Sequence, residues 1–316
     1  PVRVKYSNTR CALWGHPVEH FKDIYFCREA IEFLKGRREN PFALFLYLWA
    51  PHPPLIVPEP YASTFDPEKL DLPPNVGLIS DGEPSNRRRG IAAQLAEGIS
   101  EWEWRRVWAA HLGLVRLADA GIGEVLKALE ETGQKGGTVI LFTVDHGDHL
   151  GQHRMYQKME MYEPAVRVPL ILRAPGCPHR SFDRPVSHLD VMPTLLDLLD
   201  IEAPDDLDGD SLSESVISGT PPPDKPVFCQ YSGNPTIGDI RRAVITRRYK
   251  YIYDPDDIPE LYDLVDDPLE MHNLAGDIKY LEVVQRLHEI GRSWAEDHGD
   301  WVEFRLVENK EDEDDP

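Results

Sequence analysis

The sequence TVILFTVDHGDHLGQHRMYQK, residues 138–158, decides the fold. Residues 138–144 are all β-branched or apolar and therefore predict a strand buried on both faces, as in parallel α/β sheets. Asp145 and His146 follow this strand directly, and Lys158 ends the stretch. Because open α/β sheets bind their ligands beyond the carboxyl ends of the strands, these polar side chains indicate a functional site.

Helices and strands are predicted to alternate over the first part of the chain. Apolar residues at helical spacing predict helices, and short continuous apolar runs predict buried strands. This alternation is typical of the α/β class, with a mostly parallel sheet flanked by helices. The predicted helices span 22–36, 104–132 and 189–200, and the predicted strands span 42–49, 138–144 and 168–174.

The sequence changes character after SGTPPPDKP, residues 218–226. Strands with alternating polar residues and a last helix at about 279–298 predict a small α+β subdomain, whose antiparallel sheet is solvated on one face. The acidic end of the chain is predicted to be disordered. The resulting division is an α/β domain at 1–222, a C-terminal α+β subdomain at 223–306 and an acidic tail at 307–316.

Residues 58–100 separate the first predicted strand from the long helix. They are rich in Pro, Asp and Gly, and we expect a long excursion with little regular structure. Within it, the basic run Arg87, Arg88 and Arg89 lies beside DGEPSN and is interpreted as a solvated loop.

Composition excludes several classes of function. The 316 residues carry a formal charge of −21, whereas nucleic-acid-binding proteins need clustered Lys and Arg to displace counterions from phosphates. The longest apolar run, 42–50, is less than half of the roughly 20 residues that span a bilayer, so no membrane span is expected. The four cysteines are widely spaced without a C-x-x-C pair, so the sequence indicates neither a zinc ribbon nor a disulfide scaffold.

The candidate site residues each have a functional and a structural interpretation. Asp145 and His146 offer an oxygen and a nitrogen that suit a divalent cation, but they could also be a turn cap and a surface imidazole. Lys158 could hold an anionic substrate or lie in solvent. His52, between prolines, could donate a hydrogen bond to a leaving group or serve the structure.

Several motifs in order resemble the sulfatase family of the alkaline phosphatase superfamily, over roughly residues 16–300. The resemblance implies an alkaline-phosphatase-like α/β fold and the hydrolysis of anionic sulfate esters. The motifs are PFALFLYLWAPHPPLIVPEPY, TVDHGDHLGQHRMYQK, YEPAVRVPLILRAPG, VSHLDVMPTLLDLLDI, LDGDSL and YKYIYDPDDIPELYDLVDDPLEMHNLA.

The resemblance also implies roles for individual residues. Asp145 and His146 match two metal ligands of the family, and Lys158 matches the lysine that binds the sulfate oxygens. His52 matches the pocket histidine that assists the leaving group. The implied metal is Ca²⁺, with Mn²⁺ as the alternative because an imidazole ligand suits the softer ion.

One part of the family pattern is absent from this sequence. Sulfatases carry C-x-P-x-R or C-x-A-x-R, whose Cys becomes the formylglycine nucleophile, together with a pair of Asp ligands on an N-terminal strand. Cys11 opens CALWG and Cys27 opens CREAI, and neither fits. We therefore expect the formylglycine nucleophile to lie on an N-terminal segment of the same protein. This segment would be a partner of the present chain and would complete the α/β domain.

Two other functions stay open, the second of them because the nucleophile motif is absent. A phosphonate monoester or phosphodiester hydrolase of the same superfamily would use the same metal pair and lysine. A non-catalytic protein with the sulfatase fold could instead bind an anionic saccharide or a protein partner.

Overall fold

The computed structural model describes residues 11–36, 40–233 and 239–305. The α-helices are α1 (Lys22–Lys35), α2 (Ser85–Arg89), α3 (Ile91–Ala96), α4 (Glu101–Glu131), α5 (Glu163–Val166), α6 (Val191–Leu198), α7 (Ser213–Ile217) and α8 (Leu281–Asp297). The strands are β1 (Cys11–Leu13), β2 (Leu55–Val57), β3 (Ile140–Thr143), β4 (His149–Leu150), β5 (Tyr156–Gln157), β6 (Leu170–Arg173), β7 (Val227–Ser232), β8 (Ile240–Ile245), β9 (Tyr249–Tyr253) and β10 (Glu260–Asp263).

Helix α4 organises the first core. Ser100 caps its start in a capping box with Glu103, so free N–H groups of the first turn find acceptors. Its apolar face, which includes Leu114 and Leu117, packs with Leu55 and other buried residues of the core. The predicted helices at 22–36 and 104–132 are confirmed as α1 and α4, which pack against each other.

Strand pairing in the described residues differs from the predicted parallel sheet. β1 and β2 pair in parallel, but β3 and β6, predicted as strands of a mostly parallel sheet, pair antiparallel. Residues 42–49 form no strand, and the described residues offer their backbone no sheet partner. Apolar sequence predicts an extended chain, but only a hydrogen-bonded neighbour makes it a strand. Phe45 and Tyr47 remain 71% and 79% exposed.

The C-terminal sheet is antiparallel as predicted, in the order β10-β9-β8-β7. The prediction that one face is solvated is wrong, because both faces are covered. Val244 of β8 packs on Leu287 of α8, while Ala243 on the opposite face packs among Met161 and Tyr162. Polar residues on the second face are buried in ion pairs, so their alternation does not mark a solvated surface.

Residues 58–100 are more ordered than the sequence predicts. They contain α2 and α3. The interpretation of the arginine run as a solvated loop is wrong for Arg87. This side chain is fully buried and pairs with Glu260 and Asp254. A charge run cannot reveal such partners, since they lie more than 160 positions away in sequence. The predicted disordered tail at 307–316 lies outside the described residues.

None of the helices in the described ranges has the length and apolar character that a membrane crossing needs.

The packing of α4 gives a first prediction. Leu117 is fully buried, whereas Val115 on the same helix is 41% exposed. Leu117→Ala should lower the free energy of unfolding by about 2–5 kcal/mol, because it removes buried methyl groups and leaves a cavity. Val115→Ala, the control, should change it by no more than about 0.5 kcal/mol. Urea unfolding followed by circular dichroism measures both, and equal effects would contradict the assignment of this face to the core.

Candidate active site

Asp145 and His146 follow strand β3 at the surface of the molecule. The chain then turns close to α5, where the N–H of Gly147 donates to the carbonyl of Ala165 at 2.8 Å. A Cβ atom at position 147 would collide with the carbonyl oxygen of Pro164. Glycine is therefore required for this approach, which fixes where the two polar side chains leave the strand.

His52 lies on a loop held by a carboxylate of α1. The buried Asp23 accepts hydrogen bonds from the backbone N–H groups of Trp49 and Ala50 through a single oxygen. The Trp49 ring lies 4.8 Å from the His52 ring between centroids, with the Lys22 ammonium 4.0 Å from its centre. Asp23 thus positions His52 through the backbone. The sequence shows it only as an acidic residue in the first turn of a helix.

Lys158 and His52 meet directly, with Lys158 Nζ 2.9 Å from His52 Nε2. His52 Nδ1 lies 2.6 Å from the carbonyl oxygen of Pro53. Since a carbonyl only accepts, Nδ1 carries the hydrogen and Nε2 presents a lone pair. The Lys158 ammonium therefore donates to His52 with one of its three N–H bonds.

Asp145 and His146 form an arrangement that suits a cation. His146 Nδ1 donates to the carbonyl of Gly147 at 2.8 Å, so its Nε2 carries a lone pair. That Nε2 lies 3.3 Å from Oδ2 of Asp145, so a proton or a metal ion between the two atoms would be stabilised. The pair fits as part of a metal site. The described residues hold no group of three or more His, Cys, Asp and Glu arranged for a metal.

Asp148 adds a partly buried carboxylate to this cluster. Burial raises its pKa, and His146, Lys158 and His52 lower it to the extent that they are charged. Its Oδ1 atom is buried and accepts no hydrogen bond from the described residues. Asp148 therefore faces the same set of side chains as the predicted site.

His149 and His153 follow the candidate metal pair in the sequence, and both side chains are fully buried. His149 Nδ1 donates to the carbonyl of Gln157 at 2.7 Å. His153 Nδ1 lies 2.8 Å from Ser80 Oγ, whose hydrogen is donated to the carbonyl of Glu270, so His153 is the donor. The ring of Tyr162 stacks on His153 at 4.1 Å. Both imidazoles are neutral and hold the β4–β5 hairpin in place.

The structure thus brings together all four residues that the sequence singled out. His52 contacts Lys158. The centre of the His52 ring is 6.5 Å from that of the His146 ring, and Asp145 is adjacent to His146. The sequence predicted that they meet at the edge of a parallel sheet. They lie instead on three loops. Their individual roles stay predictions.

Comparison with known proteins identifies the family. The sulfatase family model matches residues 4–201, which is more than half of the chain. The chain belongs to the sulfatase family. A second model, for the C-terminal region of N-sulphoglucosamine sulphohydrolase, matches residues 151–294.

Individual relatives agree with this assignment. The chain is 32% identical to PehA of Trinickia caryophylli, a multifunctional alkaline phosphatase superfamily protein, over 90% of this chain and 61% of PehA. It is 30% identical to an arylsulfatase of Clostridium perfringens, over 88% of this chain and 58% of the relative. This sulfatase-family chain therefore spans about 60% of the length of such relatives.

A solved structure supports the expected fold class. The phosphonate monoester hydrolase SpPMH of Silicibacter pomeroyi superposes with a TM-score of 0.76 at 26% identity. The match covers 89% of this chain and 61% of SpPMH. The alkaline-phosphatase-like fold predicted from the sequence is confirmed.

The two buried histidines give a prediction about pH. Burial lowers the pKa of His149 to about 4 and that of His153 to about 3, because the interior disfavours the charged imidazolium. Both should stay neutral at pH 5 in the folded protein, where unfolded histidines, with a pKa of about 6.5, are protonated. Their contribution to stability is thus present above about pH 6.5 and is lost as pH falls toward the folded-state values.

Carbon-13 NMR of the imidazole Cε1 atoms tests this directly. Resonances assigned to His149 and His153 should not titrate between pH 8 and about pH 5. His149→Gln and His153→Gln would provide the assignments. A titration midpoint near the ordinary histidine pKa for either residue would contradict the conclusion that it is buried as a neutral imidazole.

Proposed function

We propose that this chain forms part of a metal-dependent hydrolase of sulfate esters. The observation that carries the proposal is the contact of Lys158 with His52 beside the Asp145–His146 pair. A cationic donor, an imidazole and a cation site are the groups that hydrolysis of an anionic ester needs. The proposal agrees with the membership of the sulfatase family.

Each of these residues has a task that its contacts support. The Lys158 ammonium binds the oxygens of the anionic group with the N–H bonds that are not directed at His52. His52, once protonated at Nε2, becomes a donor to the oxygen of the leaving group. The Trp49 ring and the Asp23 carboxylate keep the imidazole in place while this proton moves.

Asp145 and His146 would hold the divalent metal, for which Ca²⁺ is proposed and Mn²⁺ is the alternative. When bound, such an ion neutralises negative charge on the ester oxygens. The side chain of Asp145 is 85% exposed, so a ligand can reach the pair from solvent. The other ligands and a formylglycine nucleophile are proposed to come from a segment corresponding to the relatives' unmatched length.

Phosphonate monoester hydrolysis is the second candidate, and one observation favours it. A solved structure that resembles this chain at 26% identity is named a phosphonate monoester hydrolase. A tetrahedral phosphonate monoanion presents oxygens much as a sulfate ester does, so Lys158 and the metal pair suit both. Comparing turnover of aryl sulfate and aryl phosphonate esters separates the two.

The role of Lys158 can be tested in protein expressed from the complete reading frame. Lys158→Ala should lower kcat/KM for 4-nitrophenyl sulfate by about 100-fold or more, because a charge contact to the reacting group is lost. Lys127→Ala removes an exposed lysine of α4 and should have no effect. Intact-mass and peptide mass spectrometry of the same material tests whether a formylglycine is present. Unchanged turnover in Lys158→Ala would refute the assignment.

Metal binding provides an independent test. Asp145→Ala and His146→Ala should each weaken binding of Ca²⁺ or Mn²⁺ by at least about tenfold, because each removes a ligand atom. Asp119→Ala, an exposed carboxylate of α4, serves as the control. Isothermal titration calorimetry on metal-free protein gives the dissociation constants. Equal affinity in Asp145→Ala and Asp119→Ala would exclude Asp145 as a ligand.

A further inference from the structure

The segment that carries Lys158 is not held by secondary structure. Residues 158–162 connect β5 to α5, and positions 158–161 take part in no backbone–backbone hydrogen bond among the described residues. Gln157, just before them, has a φ of 72°, which ends the strand. The position of Lys158 must therefore depend on side-chain contacts of its neighbours.

Glu160, two residues further on, provides the strongest of these contacts. Its carboxylate is buried and makes a bidentate contact with the Arg241 guanidinium. Arg241 Nε lies 3.1 Å from Oε2 of Glu160, and Nη2 lies 3.3 Å from Oε1. Arg87 Nε lies 3.4 Å from the same Oε2. Bidentate contacts of this kind fix the orientation of the carboxylate relative to the guanidinium as well as the distance between them.

Arg241 is itself held by several contacts. It lies on β8, a strand paired with β7 on one side and β9 on the other. The side chain is fully buried, and a third contact joins its Nη1 to Asp254 at 3.1 Å. The C-terminal sheet therefore offers Glu160 a fixed anchor.

We propose that Arg241 is a positioning residue for Lys158: by binding Glu160, the C-terminal sheet sets where the Lys158 ammonium meets His52 and an anion. This inference rests on the proposed function of Lys158 as the anion-binding residue. A displacement of about 1 Å in a substrate-binding group can reduce the rate about 100-fold, so an anchor two residues away matters.

The neighbouring residue provides a matched control. Arg242, next on the same strand, is also buried and also bound to a carboxylate by two nitrogens, but its partner is Asp300 beyond α8. Successive side chains of a strand point to opposite faces, so Arg242 is directed away from Glu160. Loss of either ion pair leaves a buried carboxylate without its main partner, and both losses should reduce stability.

The experiment compares Arg241→Gln with Arg242→Gln in protein expressed from the complete reading frame, well below the midpoint of thermal unfolding. One readout is the dissociation constant of inorganic sulfate by calorimetry. The other is the rate at which acetic anhydride acetylates Lys158, followed by peptide mass spectrometry. Both variants should unfold at a lower temperature. Only Arg241→Gln should weaken sulfate binding, by about tenfold, and raise the acetylation rate of Lys158 as it leaves His52.

Two milder variants separate positioning from simple loss of folding. Arg241→Lys keeps the charge without the two-pronged contact, and its sulfate affinity should lie between those of the wild type and Arg241→Gln. Glu160→Gln keeps the shape and one acceptor oxygen, and should show the same direction of change if Arg241→Gln does not fold. Equal changes in the Arg241 and Arg242 variants, or no change in Arg241→Gln, would overturn the proposal.

The acetylation arm distinguishes failure of this inference from failure of the proposed function. If wild-type protein does not bind sulfate, the role of Lys158 in anion binding is wrong. A selective rise in Lys158 acetylation in Arg241→Gln would then still support the positioning of this side chain, and its absence would refute it.

Discussion

The arrangement of this protein depends on charges that are buried far from water. Arg87, Arg241 and Lys250 are fully buried cations, and each binds at least two carboxylates. An uncompensated charge in the interior is so costly that breaking such a pair typically loses about 3–5 kcal/mol. Because their partners come from distant segments, these pairs force the C-terminal sheet, α2 and the loop after Lys158 into one arrangement.

The same network is richer in carboxylates than in cations, and burial shifts the pKa of some of these carboxylates. Burial raises the pKa of Glu160, with the two guanidinium groups acting against it, and raises that of Glu270 to about 7 against the attraction of Lys250. A carboxyl group whose pKa lies near neutral pH can accept or release a proton at little cost in free energy. The network nevertheless keeps its geometry through hydrogen bonds such as that of Tyr162 to Glu260 at 2.6 Å.

The candidate site is built on loops that this scaffold fixes, rather than on a sheet edge. Asp23 fixes the loop of His52, Gly147 fixes the turn of His146, and Glu160 fixes the segment of Lys158. Each anchor acts on the backbone or on a neighbour of the functional residue. The exposed apolar segment 42–49 lies just before the His52 loop and has no sheet partner among the described residues. This chain spans about 60% of the length of the relatives it matches.

Sequence alone determined the helices α1 and α4, the antiparallel pairing of the C-terminal sheet and four residues of the candidate site. These features are encoded locally, in apolar periodicity and in motifs whose residues are close in the chain. It also indicated the family through the order of those motifs. It did not reveal that Arg87 is buried, that both faces of the C-terminal sheet are covered or that Asp23 and Glu160 position the site. Only tertiary structure decided these points, because a charged side chain is buried or solvated according to partners that folding brings from distant parts of the chain.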